Sequence, residues 1–186
     1  FQQQGGLRCV ARSMPTSGAV DLVAKKKNLR LYETPTGWKF FGNVMDSKSM
    51  FGGEELNPVI CGEESFGTGS SHVREKDGLW AVLCWLSILA HHNQRTPVGE
   101  LVGVGDIVRA HWAKYGRNYY TRYDYEGVEA AGAEAMVDRL LGMAAEFGAA
   151  GHGPTNPQPA KYGFALSTLD EFVYEDPIDG SVSRKQ

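Results

Sequence analysis

The 186-residue sequence is short of cysteine, of long apolar runs and of charge of one sign. Each shortage closes off a class of function. Cys9, Cys61 and Cys84 are odd in number, far apart and set among apolar residues, which fits reduced core thiols in a reducing cytosol better than a disulfide framework or a zinc site. The longest apolar stretch, 79–90, is too short to span a bilayer, and Phe1-Gln2-Gln3-Gln4 is no secretory signal. A formal net charge of −3 removes the broad electrostatic attraction that nucleic acid or an anionic membrane needs. The best basic run, Lys25-Lys26-Lys27, closes a predicted amphipathic helix, where the helix dipole favours cations. Neither a membrane nor a nucleic-acid partner is expected. An initiator methionine is also missing, and the chain runs almost at once into a strand, so it reads as a fragment.

What is present is globular. Apolar residues make up 42% and charged residues 22%, near the averages for folded domains, and the length allows a real core. The pattern predicts a strand at 7–11, a turn and cap at 13–17 starting a helix to about 28, a strand at 29–33, and an aromatic-rich helix or turn at 38–45. A third strand at 58–61 and a helix at 79–90 follow. Val20, Val23 and Ala24 share one face of the first helix. Strands alternating with helices imply an α/β domain of layered βαβ units. Residues 47–57, with Gly52-Gly53-Glu54-Glu55, read as a polar surface excursion. The 79–90 helix is apolar on every side, which predicts burial.

Another helix is expected from about 98 to 115, interrupted by Gly103 and Gly105. The domain boundary falls near 114–116, dividing the chain into 1–114 and 115–186. The second part offers a strand-like alternation at 118–125, an Ala-rich helix at 128–147, a Gly/Pro-rich loop at 148–161, short strands at 164–167 and 172–175, and a turn at 176–181. It reads as a partial, smaller α+β domain with too few elements to close a compact core.

The chemistry concentrates after the third strand, in Gly62-Glu63-Glu64-Ser65-Phe66-Gly67-Thr68-Gly69-Ser70-Ser71-His72 and Arg74-Glu75-Lys76-Asp77-Gly78. Gly67-Thr68-Gly69 lacks the Gly-Lys-Ser/Thr ending of a mononucleotide phosphate loop. Glu63 and Ser65 are two apart, so on an extended segment they point the same way. A carboxylate that accepts and a hydroxyl that does both suit vicinal sugar hydroxyls. Arg74, Lys76 and the helix N-terminus at Asp77-Gly78 would favour a phosphate. The alternative is a solvated glycine-rich turn with a capping serine, Asp77 as an N-cap, and Arg74 and Lys76 paired with surface acids.

Three segments together, Arg12-Ser13-Met14-Pro15-Thr16-Ser17, Thr34-Pro35-Thr36-Gly37-Trp38-Lys39-Phe40-Phe41-Gly42-Asn43 and 61–69, resemble the phosphoglucomutase family of the α-D-phosphohexomutase superfamily. The segments 74–82, 115–118, 121–125 and 176–181 extend the likeness over nearly the whole chain. The resemblance implies the third, sugar-binding domain of a four-domain enzyme, followed by the first part of the fourth, truncated before its phosphate-binding loop. It implies an isomerase-class intramolecular phosphotransferase that interconverts glucose 1-phosphate and glucose 6-phosphate through a bisphosphate, glucose 1,6-bisphosphate, using a phosphoserine on the first domain and magnesium on the second.

By the same resemblance, Thr36, Gly37, Glu63, Ser65 and Lys76 bind substrate. Lys76 is also a candidate general acid/base, provided desolvation and neighbouring cations lower its pKa. Arg12, Lys39 and Glu64 read as structural. No phosphoserine loop and no Asp-Gly-Asp-Gly-Asp metal loop is present, so the magnesium ligands and the missing first and second domains belong to the parent protein. The piece alone is expected to be inactive, and the parent cytoplasmic. Ser71 stands where aspartate is commoner in the family. A non-catalytic, phosphosugar-binding relative is the alternative.

Overall fold

The computed structural model describes residues 8–159, 163–176 and 179–184. The chain divides into two compact units, one reaching Arg122 and including Glu175–Ser181, the other holding Tyr123–Tyr174 and the chain from Val182.

In the first unit β1 (Cys9–Ser13) lies in the middle of a sheet because all five of its residues are buried, which suits a strand covered on both faces. It pairs in parallel with β2 (Arg30–Thr34) and with β3 (Cys61–Gly62), and β3 pairs antiparallel with β4 (Thr68–Gly69), giving the order β2-β1-β3-β4. The third strand is shifted from the expected 58–61. Val59 N–H still donates to Cys9 O at 3.2 Å and Ala11 N–H to Ile60 O at 3.0 Å, so the segment before β3 already borders β1. Leu7, expected in β1, lies outside the described residues.

Helix α1 (Ala19–Lys27) connects β1 to β2. Gly18, not a Ser/Thr side chain, holds its N-cap position, and Asn28 ends it in the left-handed conformation at φ 53°. Of the predicted Val20, Val23 and Ala24 face, Ala24 is buried and the valines are half-buried. The lysine run closes the helix as expected, and Lys26 Nζ donates to Lys114 O at 2.6 Å. Helix α2 (Trp38–Met45) follows β2 and supplies the core: Trp38, Phe40, Phe41, Val44 and Met45 are all buried. One cluster joins Ala11, Trp38, Phe41, Met45 and Cys61, and another joins Cys9, Val44 and Leu56. Burial pushes the Cys9 thiol up to about 11 and the Cys61 thiol higher still, so both are inert packing groups.

Three expectations are corrected, and the surface excursion stands in part, with residues 48–50 and 52–55 exposed. The excursion at 47–57 begins as a short helix, α3 (Ser47–Phe51), and is anchored in the core. Buried Ser47 donates to Glu54 O at 2.7 Å and accepts from Leu56 N–H at 3.2 Å. Helix α4 (Gly78–His92) is not buried: none of its residues is, and Leu79, Val82, Leu83 and Leu86 are each more than half exposed. Its main element contact is with β4. An all-round apolar helix predicts covering on all sides, but coverage depends on neighbours, and the described residues supply one side. The helix expected over 98–115 is instead a 3-10 turn, Val98–Glu100, and a separate α5 (Val104–Tyr115). Asp106 Oδ2 accepts the Gly103 N–H at 2.9 Å, so Gly103 marks the start of α5 instead of an interruption. Finally, no strand forms at 118–125. Its aromatic–polar alternation has no edge to pair with, and Tyr119, Tyr120, Tyr123 and Tyr125 are exposed.

The second unit contains α6 (Ala130–Ala149), with Phe147 buried and its ring 5.4 Å from His152. Strands β5 (Gln158–Pro159) and β6 (Ala165–Leu166) pair antiparallel, and β7 (Val173–Glu175) pairs with β8 (Val182–Arg184). β5 falls inside the stretch expected to be loop. Pro177 and Ile178 of the predicted turn, which belongs to the first unit, lie outside the described residues; around them Asp176 N–H donates to Ser181 O at 2.8 Å and Gly180 N–H to Asp176 O at 2.9 Å. No helix among the described residues is long and apolar enough to cross a membrane.

Candidate functional site

Two connections leave the same end of the β2-β1-β3-β4 sheet and meet, one from β2 to α2 and one from β3 to β4. The first carries Thr34-Pro35-Thr36-Gly37. Gly37 holds the N-cap position of α2 at φ 129°, ψ 126°, a conformation that a residue with a Cβ rarely adopts. Its N–H is therefore free to leave the helix, and it donates to Glu63 Oε1 at 3.1 Å.

The second connection is a tight hairpin loop. Glu63 N–H donates to Gly67 O at 2.9 Å, and Phe66 N–H returns to Glu63 O at 3.2 Å. Closure is completed at Phe66, which adopts φ 66° and is 93% exposed. The loop is a turn, not an extended segment, so the predicted alternation does not describe it. Glu63 is buried and Ser65 exposed. A glycine at 69 is needed for close approach: a Cβ there would lie 2.8 Å from Trp38 Cζ2 and 3.0 Å from Glu75 O. The Trp38 ring thus packs directly against β4 and ties the start of α2 to the loop.

Glu63 is the centre of the arrangement. Its carboxylate is 3% exposed, with Oε2 2.7 Å from Lys76 Nζ and Oε1 on the Gly37 N–H. A buried carboxylate needs such partners, and it sits where the positive end of α2 favours an anion. Each carboxylate oxygen keeps a further acceptor lone pair beside the bond it already accepts.

Lys76 is half exposed, and the hydrogen bond and charge of Glu63 raise its pKa, helped by Glu75 and Glu64. The proposed use of Lys76 as a base required a lowered pKa; here the lysine is held as a cation. As a cation it can attract phosphate or donate a proton.

The predicted residues separate into those brought together and those turned away. Gly37, Glu63 and Lys76 converge, with exposed Thr36 next to Gly37 in the chain and exposed Ser65 on the same loop as Glu63. Arg74 is turned away: its guanidinium forks onto Asp46, with Nη2 to Oδ1 at 2.6 Å and Nε to Oδ2 at 2.9 Å, and Nη1 reaches Ser71 O at 2.7 Å. The N-terminus of α4 is already capped, since Asp77 Oδ1 accepts the Trp80 N–H at 2.9 Å and Oδ2 meets His72 Nε2 at 2.8 Å. A groove of about 1040 Å³ lined by Asp46, His72, Arg74 and Trp80 contains none of Thr36, Gly37, Glu63, Ser65 or Lys76, and its charges are matched within the protein. Lys39 lies over the Phe40 ring at 4.9 Å. Among the described residues, no group of three or more His, Cys, Asp or Glu side chains could hold a metal ion.

A third segment supports the loop from behind. Glu64 Oε2 accepts from Ser13 Oγ at 3.1 Å, Ser13 and Thr16 share a hydrogen bond of 2.6 Å, and Arg122 Nη1 stands 3.9 Å from Glu64 Oε1. Arg12 fixes that segment. It forks onto Asp21 at 2.6 and 2.7 Å, meets Glu33 at 2.9 Å, and donates to the carbonyls of Ser13 and Met14 at 3.2 Å each. The sequence places Ser13 and Thr16 in a turn and in a family motif without giving either a role at the site. A hydroxyl pair straddling Met14-Pro15 was the available signal, but a partner 51 positions away cannot be read from spacing.

Comparison with known proteins extends the picture. Residues 1–115 match the family described as "Phosphoglucomutase/phosphomannomutase, alpha/beta/alpha domain III", and residues 117–186 match "Phosphoglucomutase-1, C-terminal domain". Phosphoglucomutase 1, chloroplastic, from Marchantia polymorpha is 55% identical over 97% of the chain, which covers 26% of that protein. Phosphoglucomutase, cytoplasmic, from Mesembryanthemum crystallinum is 55% identical over 98%, covering 30% of its length. The open-form crystal structure of pp63/parafusin, a phosphoglucomutase from Paramecium, superposes with a TM-score of 0.77 at 50% identity, over 97% of this chain and 28% of that one. The chain therefore spans between a quarter and a third of these relatives.

Proposed function

This chain belongs to the phosphoglucomutase/phosphomannomutase family, and from that premise we propose that it is the sugar-recognition wall of a mutase interconverting glucose 1-phosphate and glucose 6-phosphate. The observation that carries this reading is the buried Glu63 carboxylate, pinned by the Gly37 N–H and Lys76 Nζ at the mouth of two connections. Burying a carboxylate opposes folding unless its partners compensate. A chain that retains one beside an exposed hydroxyl and a cation holds what is needed to grip a polyhydroxylated anion.

In this reading Glu63 accepts from the sugar hydroxyls, and Ser65 donates to or accepts from a neighbouring one. Thr36 and Gly37 border the ring. Lys76 faces the phosphate as a cation and can supply a proton to a leaving oxygen. The magnesium ligands, the phosphorylated serine and the glucose 1,6-bisphosphate handling are assigned in this reading to the rest of the parent protein, including its first two domains. The parts are proposed to divide at about 114–115. Relatives carry both cytoplasmic and chloroplastic names; the cytoplasmic assignment is the one proposed here.

A coupled assay converting glucose 1-phosphate tests the division of labour. The 186-residue polypeptide is expected to show no turnover above background, and the full-length protein to be active with magnesium. Ser65→Ala in the full-length protein should lower kcat/KM roughly fivefold, the size of one neutral hydrogen bond. Turnover by the isolated polypeptide, or an inactive full-length protein that still binds hexose phosphate, would overturn the mutase reading; the second outcome would favour a binding relative.

A further inference from the structure

The Lys76 side chain reaches Glu63 by a restricted route. It leaves the segment before α4, runs across the loop, and brings Nζ to 2.7 Å from Glu63 Oε2. Along the way its stem lies against the backbone of Gly67. A Cβ on Gly67 would stand 2.7 Å from Lys76 Cδ, 3.0 Å from Cε and 3.3 Å from Cγ. Such separations are inside van der Waals contact, and the clash involves the middle of the stem, not only its tip. Relieving it requires the Lys76 stem to shift from this path. The loop backbone cannot retreat easily either, because Gly67 O accepts the Glu63 N–H at 2.9 Å.

The backbone does not itself demand glycine. Gly67 lies outside the left-handed region, unlike Gly37, so alanine can take the same φ and ψ. Lysine contact, not conformational freedom, is the feature at this position that alanine would disturb. Gly69 differs, because a Cβ there meets the backbone oxygen of Glu75 and the packed Trp38 ring.

We infer that Gly67 is a positioning residue: the space left by its missing Cβ is the channel through which the Lys76 stem reaches Glu63, and it sets where the ammonium stands beside the sugar phosphate. The second half rests on the proposed sugar-recognition role of Glu63 and Lys76; the first half is geometry alone. Gly67 touches no reacting atom, so its effect must pass entirely through Lys76.

The experiment uses the full-length protein and two readouts. One is the pulse-acylation rate of Lys76, followed by peptide mass spectrometry relative to exposed Lys27. Only the neutral amine reacts, so releasing Lys76 from Glu63 speeds labelling. Gly67→Ala should label faster than the unmodified protein, approaching the rate of Glu63→Gln. Gly42→Ala, where the added Cβ meets nothing within 4 Å, should leave the rate unchanged. The other readout is kcat/KM for glucose 1-phosphate, which Gly67→Ala should lower roughly ten- to a hundredfold, as expected when a catalytic group is displaced by about 1 Å. In a Lys76→Ala background the same change should cost nothing further, because the interaction energy of the double-mutant cycle absorbs it.

Unaltered Lys76 labelling in Gly67→Ala would overturn the channel. Faster labelling with unchanged kinetics would leave the channel standing and overturn the sugar-site role of Lys76. An equal loss with and without Lys76 would show that Gly67 acts on the loop itself, which also contradicts the inference.

Discussion

Replacing Glu63 with glutamine in the full-length protein is expected to lower kcat/KM for glucose 1-phosphate by roughly ten- to a hundredfold, while the fold survives. The two effects separate because glutamine retains one of the two roles. Its carbonyl oxygen can still accept the Gly37 N–H, which Glu63 Oε1 does at 3.1 Å, so the junction between the two connections stays closed. What is lost is the anionic partner of Lys76 and the charged acceptor offered to sugar hydroxyls. Hydrogen bonds to a charged group contribute about 1.5–3 kcal/mol, and each 1.4 kcal/mol is tenfold in rate. Steady-state kinetics supply the first quantity, and a thermal midpoint within a few degrees of the unmodified protein the second. Unchanged kcat/KM with intact folding would remove Glu63 from the site.

The largest effect on stability is expected at Arg12. Its guanidinium is almost fully buried and serves two carboxylates and two carbonyls at once. Arg12→Met preserves much of the stem volume and removes the fork. The carbonyls of Ser13 and Met14 then lose a donor, and Asp21 and Glu33 lose their shared cation. Removing one partner of a buried ion pair typically costs about 3–5 kcal/mol. Asp21 and Glu33 are partly exposed and can rehydrate, which places this case near the lower end, at about 3 kcal/mol.

For a chain of this size that corresponds to a fall of roughly 6–12 °C in the thermal midpoint. Arg12→Lys should recover little, because an ammonium cannot reproduce the two-pronged contact with Asp21. Urea unfolding of all three proteins is the check, and a midpoint within experimental error for Arg12→Met would contradict the assignment. A milder loss of substrate affinity should accompany the destabilisation, since Arg12 holds the segment whose Ser13 hydroxyl steadies Glu64 on the loop.

The alternation of strands and helices through residue 45 was readable because each element there has a local cause. β1 is a short apolar run, α2 carries aromatics at helical spacing behind Gly37, and Asn28 punctuates α1. The site motifs were readable as motifs, through their resemblance to a family. Their mutual geometry was not. Glu63 and Ser65 were expected side by side on an extended segment, but the Glu63–Gly67 hydrogen bond folds that segment into a turn, burying one and exposing the other.

Arg74 and Lys76 looked equivalent in sequence, two cations two positions apart. They part company because Asp46, at the end of α2, is close enough to claim Arg74, whereas the gap at Gly67 lets Lys76 run to Glu63. Neither neighbour is visible from spacing. The exposure of α4 has the same origin: composition sets how strongly a helix is driven to be covered, and only the surrounding elements determine whether it is. The tyrosines between 119 and 125 show the complementary case, a strand-like pattern without a strand beside it.

The most direct test is a crystal structure of the full-length protein bound to glucose 1-phosphate. Sugar hydroxyl oxygens are expected about 2.5–3.0 Å from a Glu63 carboxylate oxygen and from Ser65 Oγ, with the phosphate on the Lys76 side of the ring. A sugar held elsewhere, with no hydroxyl within hydrogen-bonding distance of Glu63, would contradict the proposed role of this wall.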